Sequence, residues 1–218
     1  MFSTPSTALC KATASEIFPS EYADSRFELL DTLGRGAFSA VFKATDAKAG
    51  HEVAIKAVQL PEDEQTKRAL AYEVDILKQL NHPSIVKLYE NISCMDGVLH
   101  LVMELLPGTT MRNVLDQRGA LPESQVVPIV RNLVDALEYL HTTARFVHRD
   151  LKPENVMPNT ALSTDPAEPL PRSACWKVCD FGVSCRVGGA HGGGAAGGVE
   201  TLFFKVRTAP TNCTGYGR

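Results

Sequence analysis

From Val147 to Met157 the chain reads VHRDLKPENVM, the most specific stretch in the sequence. Asp150, Lys152 and Asn155 stand within six residues of one another. They supply an acceptor for a hydroxyl proton, a cation for migrating phosphoryl charge and a neutral oxygen ligand for a hard metal ion. Downstream, Asp180 in Asp-Phe-Gly follows an apolar run and offers a carboxylate that can hold a divalent cation across phosphates. Either aspartate alone also suits a helix cap or a turn.

Two further stretches ask for the same explanation. In LGRGAFSAV, Gly34 and Gly36 form a turn between two alternating segments, where missing side chains let backbone amides approach a polyphosphate. A glycine hairpin with no ligand satisfies the same residues. Lys56 in VAIK shares a strand face with Ala54 and Val58, which sets an ammonium over apolar surface. Glu73 falls between Leu70 and Leu77 on the apolar stripe of a helix, where an unpaired carboxylate is costly. A Lys56–Glu73 ion pair resolves both anomalies; two exposed charges on loosely amphipathic elements are the alternative.

Around these stretches the pattern is strand-rich first and helical later. FELLDTLGRGAFSAVFKATDA and HEVAIKAVQL alternate as strands of a hairpin, and SIVKLYENISC and GVLHLVMELL read as two more. Between them lies an amphipathic helix with Leu70, Val74, Leu77 and Leu80 at helical spacing and acids in its first turn. After a hinge-like LLPG, ESQVVPIVRNLVDALEYLH predicts a second helix. Its apolar stripe is Val126, Val130, Leu133, Val134, Leu137 and Leu140, and Pro128 is expected to kink or interrupt its first turns. NTALSTDPAEPLPRSA predicts a surface loop, either a bland excursion or a docking insertion. No helical or strand period continues beyond Val187, where the composition turns to glycine and alanine.

Bulk properties exclude some partners. Twenty-two Lys and Arg against 25 Asp and Glu give a formal charge of -3, which argues against a nucleic-acid or anionic-membrane footprint. With no apolar run long enough to span a bilayer and no secretory h-region, the expected location is cytoplasmic, a cleaved transit peptide being the alternative. The six cysteines lack both disulfide-framework and zinc-site spacing and predict reduced thiols.

Taken in this order, the four stretches resemble the eukaryotic protein kinase family, of Ser/Thr type and similar to calcium/calmodulin-dependent kinases, from about Phe27 to Val187. The resemblance implies an α+β, two-lobed fold with a β-rich N-lobe over 27–106 and catalytic and magnesium loops in a C-lobe over 107–187. It implies transfer of the γ-phosphoryl group of ATP, with Mg²⁺, to Ser or Thr hydroxyls of protein substrates. Gly34, Gly36 and Val41, with Leu33, Arg35, Ala37 and Phe38, resemble the phosphate-covering loop, Ser39 standing where the pattern has its third glycine. Lys56 and Glu73 resemble the ATP-positioning pair, Asp150 the catalytic base, and Asn155 and Asp180 the magnesium ligands. Met103 resembles the gatekeeper, Glu104 and Leu106 supply hinge backbone to adenine, and Ala54 and Met157 sandwich the ring. Leu77, Leu88, His148 and Phe181 match the apolar stack that links the lobes. Lys152 favours Ser/Thr over Tyr acceptors.

The family continues past its magnesium loop to Ala-Pro-Glu and a helical bundle, and the 188–218 stretch does not match that continuation. The expectation is therefore an incomplete helical C-lobe, a disordered extension over 1–26 and a flexible glycine-rich tail. An ATP-binding relative that regulates without phosphorylating peptides is the alternative function. Without later helices, part of the Val126–Leu140 stripe is expected to face water.

Overall fold

A computed structural model describes residues 26–35, 39–60, 62–93, 97–181 and 185–186. Five strands form one antiparallel sheet: β1 (Phe27–Arg35), β2 (Ser39–Asp46), β3 (His51–Gln59), β4 (Leu88–Ser93) and β5 (Val98–Glu104). Their order is β1-β2-β3-β5-β4. Alternation sets which side chains go where. Val53, Ile55 and Ala57 of β3 join Phe42, Ala44 and Val102 in one buried cluster, while Ala54 and Lys56 belong to the other face by the two-residue period. The β2–β3 turn is closed by Asp46, whose carboxylate accepts from the backbone of Lys48 and Ala49 at 2.9 and 3.2 Å. The Arg26 guanidinium grips the same carboxylate at 2.9–3.1 Å and holds it below the usual carboxylate range.

The first helix, α1 (Glu64–Gln79), buries Val74, Ile76 and Leu77 against the sheet. Leu80 follows it into the same core, which runs on through Leu88, Leu101 and Leu106 to Ala136, Leu140, Phe146, Val178 and Phe181. One apolar cluster thus spans sheet and helices. The LLPG segment ends on Gly108, where a Cβ would meet the Pro158 ring and lie 2.7 Å from the Thr160 carbonyl oxygen. Glycine is required there by close approach.

Helix α2 (Met111–Arg118) has no counterpart in the sequence reading, yet its ends are well marked. Thr110 Oγ1 accepts from the Asn113 N–H at 3.2 Å, and Gly119, at φ 70°, closes the last turn. Helix α3 (Glu123–Glu138) runs through Pro128 without interruption, the missing N–H costing the helix one i→i−4 hydrogen bond while its neighbours hold. Part of the expected stripe faces water, as anticipated, while Leu140 is buried and Leu133 and Leu137 pack on the core; the inward face also takes in residues outside that stripe. Ile129 and Ala136 are buried, whereas Val130 and Val134 are 47% and 54% exposed.

A π-helical turn (Tyr139–Ala144) and the left-handed Arg145, φ 63°, lead into β6 (Phe146–Val147), which pairs with β9 (Cys185–Arg186). A 3₁₀ turn (Pro153–Asn155) leads into β7 (Val156–Pro158), which pairs with β8 (Trp176–Val178). The connection between β7 and β8 is more ordered than a bare surface loop. Leu170 and Ala174 are buried with Trp176, Met111, Val114 and Ile129. Arg118 donates to the carbonyl oxygens of Ser163 at 2.9 Å, Pro166 at 3.3 Å and Glu168.

Candidate active site

The segment between β6 and β7 carries the first half of the site. His148 is fully buried, and its ring stands edge-on to Phe181 with centroids 4.8 Å apart. Its Nδ1 accepts from the Asp150 N–H at 3.3 Å, so the proton sits on Nε2, which donates to the Cys179 carbonyl at 3.0 Å. Burial pushes the His148 pKa down, which favours this neutral form. One imidazole therefore ties the backbone ahead of Asp150 to the backbone ahead of Asp180.

Asp150 is fixed on several sides. Its Oδ2 accepts from Lys152 Nζ at 2.6 Å and from Asn155 Nδ2 at 3.2 Å, and its backbone carbonyl accepts from the same amide at 3.0 Å. The Lys152 ammonium holds the carboxyl below the usual range, and the carboxylate in turn raises the lysine. Asn155 commits its amide nitrogen to Asp150, which leaves its carbonyl oxygen as the end suited to a cation. Its own backbone carbonyl accepts from the Cys179 N–H at 2.8 Å.

The second half arrives on β3 and after β8. Lys56, opposite Val41 on β2 and Leu101 on β5, brings Nζ to 3.6 Å from Asp180 Oδ1. Asp180 is half exposed. Its neighbour Cys179 has its thiol pushed up to about 12 by burial and stays protonated at neutral pH. Arg149 and Asp180 hold φ of 64° and 59°, a left-handed conformation that costs a non-glycine residue roughly 1–2 kcal/mol. Such strain gathers where backbone must aim a functional group.

The residues expected around a base are also near one another. Ala54 and Met103 are register partners on β3 and β5, and Met103 and Met157 both pack on the core that contains Leu106. The Glu104 N–H donates to the Lys87 carbonyl at 2.9 Å. Leu77, Leu88 and Phe181 share one buried cluster, with His148 against Phe181. Leu33 is about half exposed, and the Gly34 position is open, with nothing within 4 Å of where a Cβ would stand. Arg35 pairs with Ala40 and Gly34 with Val41 in the β1–β2 register. Gly36, Ala37 and Phe38 lie outside the described residues, as does the side chain of Glu73, so the expected Lys56–Glu73 pair falls beyond what the structure describes.

The donor set suits a polyphosphate with a hard divalent cation. Asp180 and the Asn155 carbonyl oxygen are oxygen ligands of the kind such ions take, and Lys56 supplies a positive charge beside them. One partnership escaped the sequence reading. Lys177 Nζ lies 2.9 Å from both carboxylate oxygens of Glu104. A lysine inside the run Trp-Lys-Val ahead of Asp180 was the available signal, since a buried ammonium demands an acid.

Comparison with known proteins gives the same direction as the geometry. Residues 27–203 match the family described as "Protein kinase domain". A probable myosin light chain kinase of Dictyostelium discoideum is 34% identical over 162 residues, 74% of this chain and 47% of that protein. Serine/threonine-protein kinase 33 of Mus musculus is 36% identical over 170 residues, 78% of this chain and 33% of that protein. Myosin light chain kinase A of Dictyostelium discoideum is 38% identical over 132 residues, 60% of this chain and 44% of that protein. The chain spans less than half the length of each of these relatives.

Proposed function

The chain belongs to the protein kinase domain family, and from that premise we propose that it transfers the γ-phosphoryl group of ATP to Ser or Thr hydroxyls of protein substrates. The observation that carries this reading is the Asp150–Lys152–Asn155 cluster tied through His148 and Cys179 to Asp180, with Lys56 3.6 Å from that carboxylate. Within the reading, residues 27–106 form the N-lobe and 107–187 belong to the C-lobe. The proposed setting is the cytoplasm, in keeping with the free thiols of Cys175 and Cys179. Among the described residues no helix is long and apolar enough to cross a membrane.

The chemistry asks little covalent work of the protein and much positioning. The acceptor oxygen bonds to the γ-phosphorus as the bond to the bridging oxygen breaks and ADP departs, and the hydroxyl proton passes to Asp150. Because Oδ2 of Asp150 is taken by Lys152 and Asn155, Oδ1 is the oxygen left to orient that hydroxyl. A carboxylate held below its usual pKa is a weak base, which suffices where the transition state is loose and proton transfer comes late. Lys152 follows the charge on the migrating phosphoryl group, and Lys56 steadies the phosphates that remain. Magnesium, held by Asn155 and Asp180, would offset the negative charge of the β- and γ-phosphates. The backbone of Glu104 and Leu106 would meet the adenine edge, with Ala54 and Met157 on the ring faces and Met103 behind it. The β1–β2 turn, Leu33 to Phe38 with Val41, would cover the phosphates.

The test separates binding from transfer. Asp180→Ala is expected to abolish magnesium-dependent ATP binding measured by calorimetry. Asp150→Ala should keep binding and lose transfer by about 10²–10⁴-fold, the range of a positioned acid–base group. Undiminished phosphorylation by the Asp150 variant would overturn the assignment.

A further inference from the structure

The ion pair between Lys177 and Glu104 adjoins the residues proposed to meet adenine, Glu104 being one of them through its backbone and Lys177 the register partner of Met157. Its two side chains are only 10% and 22% exposed, and both carboxylate oxygens lie 2.9 Å from the ammonium. The Lys87 N–H also points to Glu104 Oε2 at 3.3 Å. Register places Lys177 opposite Met157, so the two project from the same face of the β7–β8 ladder. Glu104 ends β5, immediately after Met103. The pair therefore joins the strand that leads into the proposed hinge to the strands that would form the floor beneath the base.

From Lys177 the chain is held at every step to Asp180. Val178 donates to the Ser84 carbonyl at 2.9 Å and accepts from the Val86 N–H at 3.0 Å. Cys179 is bound through its N–H by Asn155 and through its carbonyl by His148. A shift of Lys177 relative to Glu104 would thus change the spacing between hinge and floor while the phosphate end kept its own supports. Stability alone does not account for the pair, because two buried charges lose hydration worth several kcal/mol each, and a well-packed apolar pair often serves as well. What an ion pair adds is a fixed distance between two elements.

We propose that Lys177–Glu104 is a positioning pair that sets the gap between hinge and floor strands and thereby governs affinity for the purine, leaving affinity for the polyphosphate unaffected. Neither side chain touches the nucleotide in this scheme. The inference rests on the phosphotransfer reading, and the test distinguishes the two.

Dissociation constants for Mg-ATP and for Mg-tripolyphosphate, which lacks base and ribose, would be measured on the full chain with calorimetry, alongside thermal unfolding. The variants are Lys177→Met, Lys177→Arg and the double change Lys177→Met with Glu104→Met. Wild type should bind Mg-ATP more tightly than Mg-tripolyphosphate. Lys177→Met and the double variant should weaken Mg-ATP by about tenfold, ~1.4 kcal/mol, and leave Mg-tripolyphosphate within about twofold, while Lys177→Arg stays near wild type for both. The double variant removes both charges together, so it keeps the test open should the single methionine variant fail to fold. Equal weakening of both ligands, or a double variant that binds Mg-ATP like wild type, would overturn the positioning role and leave the phosphotransfer reading standing. A wild-type chain that binds neither ligand would remove that reading itself.

Discussion

His148 shows how one residue links the two halves of the site. It accepts from Asp150 and donates to Cys179 while remaining neutral in a buried setting. A buried histidine with a lowered pKa makes stability depend on pH with a definite sign. Above the ordinary histidine value of about 6.5, folded and unfolded states are both neutral and the group has no effect on the balance. As pH falls below that value the unfolded chain gains a proton that the folded one refuses, so stability declines until the depressed folded pKa is reached. His82, also lowered by burial, acts in the same direction. Asp150 works in another window: its contribution is present above the unfolded value of about 3.9 and is lost as pH falls through its lower folded value. Unfolding midpoints followed between pH 7.5 and 5 should therefore drop for wild type and drop less for His148→Phe, which keeps the ring against Phe181 but cannot titrate. Equal slopes would contradict the neutral, buried assignment.

At this scale the sequence was informative wherever chemistry is written in a short run. Asp150, Lys152 and Asn155 are neighbours in sequence and remain neighbours in space. Lys56 and Asp180 are far apart in sequence, but each stands out as a charge in apolar surroundings, and the fold brings them to 3.6 Å. Lys177 and Glu104 carried a fainter signal, because Glu104 also suits an exposed strand end and nothing local pairs it with a lysine 73 positions away. Their partnership is set by how β5 meets β8, which no local pattern encodes.

Among the elements, α3 is the instructive case. Counting large apolar residues placed Val130 and Val134 on one stripe, part of which was expected to face water; those valines are the part that does, being about half exposed, and the helix turns Ile129 and Ala136 inward instead. Asn132 helps to set this rotation. Its Oδ1 accepts from the Trp176 N–H at 2.9 Å, a bond that needs Asn132 on the inner side with Ile129, Leu133 and Ala136. The difference is measurable. Val134→Glu should change unfolding free energy by no more than about 0.5 kcal/mol, as exposed substitutions do, whereas Ala136→Glu buries an unpaired carboxylate and should cost ~3 kcal/mol or more. Denaturant titration of the two variants reads this directly, and the reverse order would put Val134 on the inner side instead. Helix α2 was missed for a different reason. Eight residues with only Met111 and Val114 fully buried give little periodicity, and its strongest marks, the Thr110 cap and Gly119, carry weight only once a helix is suspected.

Across the unit that holds the described residues, the sheet and helices are coupled by one core and by the polar ties around His148. Alternating strands, a long amphipathic helix and the order of the motifs were enough to read an α+β fold, because each is a local period that the tertiary structure respects. The course of the β7–β8 connection was not legible. Arg118 gathers three carbonyls across 45–50 residues of sequence, and Leu170 and Ala174 enter a core built from distant helices. The most direct measurement of the proposed phosphotransfer is to incubate the full chain with magnesium, γ-labelled ATP and a mixture of Ser-, Thr- and Tyr-bearing acceptor proteins, and to identify the labelled amino acids, with Asp150→Asn in parallel. Label is expected on serine and threonine, at least about 10²-fold less with the variant. Label confined to tyrosine, or equal labelling by wild type and Asp150→Asn, would contradict it.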